Sequence, residues 1–424
     1  MVGNSPPSFN PLVKIGFIGN TNNYPFRLAQ ALRRLGHEVV FFVDRPPSEL
    51  RHRPESHYTD IPYPYPDWIQ EIDALSPVRI VLVPWTLRSV VRTLEACDGV
   101  VLNGLALSLG TAIHRPLIGL LTGSDLDVFS NPKLLNTLAE GSYRSDFAVS
   151  GVFLKRVIKV CKRMIFSRLL HLQRAGIGKC SLLDYAIPGL IPEGDALLDK
   201  IGVDKKRRTS FMITETEDLP ASRRRADGVL RIFCATRLQW RRSTVGAQVS
   251  PLDSKGTDVM LEGLRLFVAT SRHPLSIHLI SVGTDVEAAE RYIKEIGLTD
   301  YVSWHPELSQ QEFLAELAQA DVVLENFGIG SCIGMAGRDA IAMGKPVVAW
   351  GKSDVFKQVL GEPLPIYEAR TATEICAQLS RIIHHPDEIG SHVSTARAFA
   401  ARWFSSTRAA EQCLTVFRET QKGK

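Results

Sequence analysis

The segment from residue 320 to residue 350 constrains the fold of this chain more than any other. It reads ADVVLENFGIGSCIGMAGRDAIAMGKPVVAW. Residues 322–324 and 347–349 are short apolar runs of the kind found in buried parallel strands. Between them lie a glycine-rich loop and a short predicted helix, residues 335–343. This strand–loop–helix–strand unit predicts an α/β domain built on a parallel sheet.

The glycine-rich loop and the helix together are suited to bind an anionic ligand. Gly328 and Gly334 allow the backbone to approach a ligand closely, and Gly344 stands where a helix C-cap glycine is expected. The helix N-terminus offers free N–H groups and partial positive charge, and Asp339 in its second turn could reach sugar hydroxyls beside the anion. The pattern fits a nucleotide diphosphate, but it equally fits an ordinary strand–helix–strand unit.

Apolar runs alternate with helical patterns along the rest of the chain, which predicts two doubly wound, Rossmann-like α/β domains facing across a cleft. A polar stretch rich in charge separates them and contains proline and glycine, as linkers do. We predict a first domain at 1–211, a linker at 212–228, a second domain at 229–395 and a closing helix at 396–424. Further strands are expected at residues 13–18, 39–43, 80–83, 100–102, 117–121, 229–234, 277–282 and 301–304.

Composition excludes several classes of protein. A chain of 424 residues with 45% hydrophobic content can build two cores, yet it has no apolar run of membrane-spanning length. The N-terminus lacks the pattern of a secretion signal, and seven scattered cysteines suit a reducing compartment, so a cytoplasmic location is expected. The net charge of +5 is mild, and no nucleic-acid partner is expected. Histidines and cysteines show no metal-ligand spacing, so no metal or other cofactor is expected either.

Two cations follow predicted strands of the second domain. Arg237 comes after the strand LRIFCAT, and Lys255 precedes the next helix within SKGTD. At the carboxyl edge of a sheet they could neutralise a departing diphosphate, although each alone could be a solvated surface residue. Gly283 ends another strand, where a tight turn and phosphate access explain glycine equally well.

In the first domain, Asp125 lies in TGSD directly after the strand at 117–121. A carboxylate at this edge of the sheet could meet an acceptor or a sugar hydroxyl in a catalytic role. Capping of a following helix by Ser124 or Asp125 is an equally good explanation.

A basic amphipathic helix is expected from Lys155 to Arg174, where apolar residues alternate with lysine and arginine. Such a helix could lie on an anionic bilayer at the inner membrane face. An ordinary surface helix of a basic domain has the same pattern.

With these residues placed, the chain resembles the retaining GT-B glycosyltransferases of the family-4 (glycosyltransferase group 1) type. CATRL followed by SKGTD is similar to that family's Arg and Lys, which bind the donor diphosphate and correspond to Arg237 and Lys255. The resemblance implies that the turn ending at Leu308 holds the nucleotide base. It also implies that Gly19 lies in the glycine loop of the first domain. The closing helix is similar to the helix that crosses back onto the first domain.

The chain departs from that family at three positions. The family carries two glutamates eight residues apart, of which the second holds the ribose hydroxyls and the first contacts the donor sugar. Asp339 stands at the second position and Ser331 at the first, so the donor site includes a serine without charge. Thr122 replaces a histidine of the first domain.

The resemblance implies a hexosyltransferase-like enzyme that moves a sugar from a nucleotide-diphosphate sugar to an acceptor hydroxyl with retained configuration. The acceptor would be a glycan or a lipid-linked molecule. Two alternatives stay open: a nucleotide-binding protein or scaffold with a degenerate donor site, and a sugar-nucleotide epimerase of the same architecture. A dinucleotide oxidoreductase is disfavoured because GFIGNTNN lacks the G-x-G-x-x-G motif.

Overall fold

Two parallel β-sheets form the framework of the protein. The computed structural model describes residues 12–46, 52–140, 152–216, 219–220, 228–240, 254–328 and 332–422. The first sheet contains β1 (Lys14–Ile18), β2 (Glu38–Asp44), β3 (Ile69–Ile72), β4 (Gly99–Asn103), β5 (Leu117–Leu120), β6 (Leu182–Asp184) and β7 (Arg208–Thr209). The second contains β8 (Leu230–Cys234), β9 (Leu275–Ile280), β10 (Val302–His305), β11 (Val322–Leu324), β12 (Val347–Ala349) and β13 (Tyr367–Glu368).

Each sheet reverses its strand order once. The first runs β3-β2-β1-β4-β5-β6-β7 and the second β10-β9-β8-β11-β12-β13, with every neighbouring pair parallel. The order therefore reverses between β1 and β4 and again between β8 and β11. In open α/β sheets the crevice beyond the carboxyl ends of the strands at such a reversal is where ligands bind.

Helices cover both faces of both sheets. They are α1 (Tyr24–Arg34), α2 (Pro77–Leu82), α3 (Arg88–Glu95), α4 (Ser124–Asp127), α5 (Leu135–Glu140), α6 (Val152–Lys179), α7 (Pro192–Ile201), α8 (Thr257–Thr270), α9 (Val286–Glu295), α10 (Gln310–Gln319), α11 (Met335–Ala342), α12 (Ser353–Leu360), α13 (Ala372–His384), α14 (Pro386–Trp403) and α15 (Ser406–Lys422). Alternate residues of one strand enter different cores: Ile232 and Cys234 join one cluster and Phe233 another. Burial on both faces explains why the inner strands β5, β11 and β12 are apolar throughout. Within the described ranges, no helix is both long and apolar enough to cross a bilayer.

The last helix, α15, returns to the first domain. Cys413, Leu414 and Phe417 share a core with Phe26 and Leu28 of α1. The structure thus confirms two Rossmann-like domains and the crossing of the closing helix. The boundary residues proposed from sequence stay predictions.

One predicted strand is wrong. Residues 80–83, which the sequence suggested as a strand, belong largely to α2. Ser76 accepts a hydrogen bond from the backbone N–H of Arg79 at 3.2 Å, and Pro77 occupies the first turn. An N-cap serine followed by proline starts a helix, and this local signal outweighs the β-branched run.

Candidate functional site

Three loops meet at the carboxyl edge of the second sheet, where its order reverses. The backbone N–H of Lys255 donates to the carbonyl of Gln239 at 2.8 Å, which ties the segment before α8 to the loop after β8. The N–H of Phe327 in turn donates to the carbonyl of Lys255 at 3.0 Å, which adds the loop after β11. Arg237 is exposed on the loop after β8. Lys255 is half-buried in the segment before α8, which is bonded to both other loops. The fold therefore brings the loops of both predicted cations together.

Two of the predicted site glycines are required by close backbone packing. Gly283 has a φ of +131°, and a Cβ there would lie 2.2 Å from the carbonyl oxygen of Leu238. Gly19 has a φ of +89°, and a Cβ there would lie 2.2 Å from the carbonyl oxygen of Asn103. No side chain fits at either position. The packing need is sufficient to explain both glycines, so a direct role in donor binding stays a prediction.

Glu325 is a buried carboxylate at the same edge that was not predicted from the sequence. It directly follows β11 and accepts a hydrogen bond from the N–H of Asn326 at 2.9 Å. A second hydrogen bond comes from the backbone of Gly334, the N-cap residue of α11. Burial raises the pKa of Glu325, and the charges of Lys255 and Arg338 partly oppose this effect. A carboxylate of the chain itself thus occupies the start of the helix predicted to face an anion.

Asp339 binds an arginine of the first domain. Its carboxylate accepts two hydrogen bonds from Arg27 of α1, at 2.9 Å and 3.1 Å, and both side chains are almost fully buried. The hydroxyl of Thr214 also donates to it, and the Gln310 amide lies 3.4 Å from it. Burial raises the pKa of Asp339, but Arg27 and the hydrogen bonds outweigh burial, so this pKa lies below its ordinary value. The predicted contact with ribose stays a prediction, because the carboxylate here joins the two domains.

Other polar groups extend this junction between the domains. Burial lowers the pKa of His57 to about 4, and the nearby Arg27 contributes to the same effect. The Arg338 guanidinium lies 5.5 Å from the centre of the Tyr24 ring. The Tyr24 hydroxyl donates to Asp184 at 2.6 Å, and burial raises the pKa of that aspartate to about 6. Beside the Arg27–Asp339 ion pair, burial thus keeps His57 neutral at pH 7 and gives the Asp184 carboxyl a hydroxyl donor, as a low-dielectric environment requires.

The side chain of Asp125 points into the loop that carries it. Its carboxylate accepts hydrogen bonds from the backbone N–H groups of Thr122, Gly123 and Leu126, at 2.9–3.1 Å, and the side chain is 1% exposed. Burial raises its pKa, although these bonds oppose the increase. These contacts give Asp125 a structural role in its own loop. Gly123 occupies the N-cap position of α4 and no side chain caps the helix, so the capping explanation is not what the structure shows. The catalytic role of Asp125 stays a prediction. Thr122 is exposed at the rim of the same loop.

The remaining predicted positions are placed as follows. Leu308 is half-buried in the turn between β10 and α10. Ser331 lies outside the described residues. Gly334 caps α11 beside Glu325. Within the part of the chain that the structure describes, one group of side chains could hold a metal ion, namely His278, His305 and Glu316.

Comparisons with known proteins identify the architecture. No protein-family model matches the sequence, and no match to a curated protein was found. Among solved structures, Anabaena HepE in complex with UDP and glucose aligns with a TM-score of 0.61 at 13% identity, covering 96% of this chain and all of HepE. A glycosyltransferase from Rickettsia africae aligns with a TM-score of 0.60 at 13% identity, over 98% of this chain and 100% of the other.

A protein from Listeria monocytogenes described as a UDP-N-acetylglucosamine 2-epimerase also aligns. Its TM-score is 0.53 at 13% identity, with 98% of each chain covered. At this identity the similarity concerns the fold alone. It extends over both domains, so the chain has the GT-B architecture.

Proposed function

We propose that the protein is a glycosyltransferase that moves a sugar from a nucleotide-diphosphate sugar to an acceptor hydroxyl with retention of configuration. The observation that carries this proposal is the set of backbone hydrogen bonds that joins three segments: the loop after β8, the segment before α8 and the loop after β11. They place Arg237 and Lys255 at the reversal point of the second sheet. A ligand bound at that edge would meet both cations, and the first domain would supply the acceptor side.

The chemistry follows from charge. When the glycosidic bond to the diphosphate breaks, negative charge grows on the departing phosphate oxygens. Arg237 can donate a fork of hydrogen bonds to two of these oxygens, and Lys255 supplies a compact positive charge. The protein's contribution is stabilisation of the leaving group and positioning of the two substrates. No metal is required in this scheme, since the two cations take its place.

The acceptor is proposed to be a glycan or a lipid-linked molecule reached at an anionic bilayer. Helix α6 supports this part of the proposal, since Val160 and Met164 are 58% and 67% exposed on it beside the exposed Arg163. Apolar side chains bordered by basic ones suit the interface of an anionic membrane.

The test is release of free nucleotide from a panel of UDP-, GDP- and ADP-sugars in the presence of a cell extract as acceptor source. UDP-sugars come first, because HepE was solved with UDP. We expect release by the wild type and a loss of about 100-fold or more in Arg237→Ala, the usual effect of removing one donor to a developing charge. Arg272→Ala is the matched control, since Arg272 is exposed between α8 and β9, at the opposite edge of the sheet.

Two other outcomes would assign another function. A new sugar nucleotide formed without release would indicate an epimerase, which the similarity to the Listeria protein makes the second candidate. Binding of a nucleotide with neither product would indicate a binding protein, and the glycosyltransferase proposal would then be rejected.

A further inference from the structure

Three potential metal ligands converge at the β10 edge of the second sheet, on the face against which α10 packs. His278 lies on β9 and His305 ends β10, the edge strand, while Glu316 lies on α10. The register pairs Ser303 with His278, so His305 is two residues further along and on the same face. Sequence spacing alone could not show this cluster, because its members come from three different elements.

The separations of the three ligand atoms suit a metal ion. Nδ1 of His278 lies 2.9 Å from Nε2 of His305 and 3.6 Å from Oε2 of Glu316, and Nε2 of His305 lies 3.9 Å from the same oxygen. Three atoms at these separations share a point about 2.0 Å from each, which is the length of Zn–N and Zn–O bonds. The rings and the carboxylate therefore need no large movement to coordinate one ion.

The surroundings also suit coordination. The other ring nitrogen of His278, Nε2, lies 3.0 Å from the Ser276 hydroxyl, a contact that directs Nδ1 toward the cluster. The three side chains are 18–24% exposed, which leaves a path for an ion to enter.

We propose that His278, His305 and Glu316 form a binding site for a divalent transition-metal ion such as Zn²⁺. Two imidazoles and one carboxylate are a recognised zinc ligand set with an open fourth position. The ion would join the end of the edge strand β10 to α10. It would thereby fix the turn at residues 305–308 that connects them. The proposal is independent of the glycosyltransferase function.

The test is calorimetric titration of the full-length, chelator-treated protein with Zn²⁺ alone. We expect one ion per chain in the wild type. His278→Gln and His305→Gln should each weaken binding by more than about 100-fold, and Ser276→Ala, which keeps all three ligands, by about 10-fold. His273→Gln is the matched control, because His273 is exposed in the loop before β9 and should bind as the wild type does.

Co²⁺ provides a second readout that does not depend on activity. Bound to the wild type it should give visible absorption bands, which should be absent from both ligand variants while their circular dichroism is unchanged. Equal Zn²⁺ uptake by the wild type and the His278→Gln/His305→Gln double variant would overturn the proposal. The His278–His305 contact would then be a hydrogen bond only. Nucleotide release by Arg237→Ala tests the glycosyltransferase proposal and not the metal site.

Discussion

Glu325 is the residue whose charge and position most need an explanation. It is buried, it lies close to Lys255, and its raised pKa means that its charged form is a cost to folding. The pKa of Glu325 is higher in the folded protein than in the unfolded chain. The protonated side chain therefore stabilises the fold fully below about pH 4.5, and this stabilisation is lost as the pH rises through the folded pKa.

We therefore expect Glu325→Gln to keep or raise the melting temperature at pH 7, since no charge is then buried and the amide oxygen can still accept from Asn326. Nucleotide release should nevertheless fall by about 10- to 100-fold, because the negative charge near Lys255 is lost, a smaller effect than losing a direct donor. Melting curves and release assays on the same preparation check this. Glu325→Ala is the contrast: it should lower the melting temperature by leaving buried N–H groups unpaired. Unchanged release in Glu325→Gln would contradict a role for the carboxylate.

The places of Arg237 and Lys255 in the fold were predictable, because one follows β8 and the other precedes α8. Their role in chemistry stays a prediction. The place of Glu325 was equally predictable, since it stands directly after an apolar strand. The partner of Asp339 was not, because Arg27 is 312 positions away. No local pattern records a contact between two domains.

At the scale of elements, sequence patterns predicted the long helices and the central strands but missed several short strands. The predicted strand 322–324 is found with the same bounds, and the helix predicted from 335 ends one residue earlier than expected. Strands β3, β6, β7 and β13 were missed, since segments of two to four residues carry too little periodicity. Helix α2 was missed because the apolar run at residues 80–83 resembles a strand more strongly than Ser76 and Pro77 indicate a helix start.

Helix α6 provides the prediction that belongs to this scale. Its inner face buries Phe166 and Leu169, while Val160 and Met164 remain exposed among basic residues. We expect the protein to sediment with vesicles containing anionic lipid and not with neutral ones. Arg163→Gln should lower the partition coefficient about fivefold, the worth of one basic residue near such a surface, and added salt should reduce binding.

Met164→Glu should reduce vesicle binding further, because it removes an apolar contact and adds negative charge. Val359→Glu is the control for it. Val359 is an exposed apolar residue on α12 of the other domain, 46% accessible, and its change should leave binding as in the wild type. If both variants bind vesicles equally, α6 is an ordinary surface helix.

At the scale of the whole molecule, the two domains meet through buried charge. Arg27, Asp339 and Thr214 come from the first domain, the second domain and the start of the predicted linker. The backbone of Thr214 donates to Phe404, where α14 gives way to α15, so the crossing helices reach the same junction. The two domains are thus joined by a buried ion pair as well as by apolar packing.

This ion pair predicts strong energetic coupling across the cleft. Asp339→Asn should lower the free energy of unfolding by about 3–5 kcal/mol, because it leaves the buried Arg27 without its counter-charge. Arg27→Met should cost a similar amount, and the double variant should cost much less than the sum. Urea denaturation of the four proteins gives the coupling energy. Because the pKa of Asp339 is lowered, this stabilisation is complete at neutral pH and is lost only as the pH falls below about 3.8.

A matched cycle on Arg45 and Asp73 provides the comparison. These two side chains are also paired, at 3.3 Å, but they are 59% and 70% exposed, so their coupling should be no more than about 1 kcal/mol. Equal coupling in the two cycles would mean that Arg27 and Asp339 are solvated and do not join the domains. The same Arg27→Met protein tests the ribose role as well: it frees the Asp339 carboxylate, and UDP should then bind more tightly if that carboxylate holds ribose. An unchanged or weaker affinity for UDP would leave Asp339 as a residue that links the two domains.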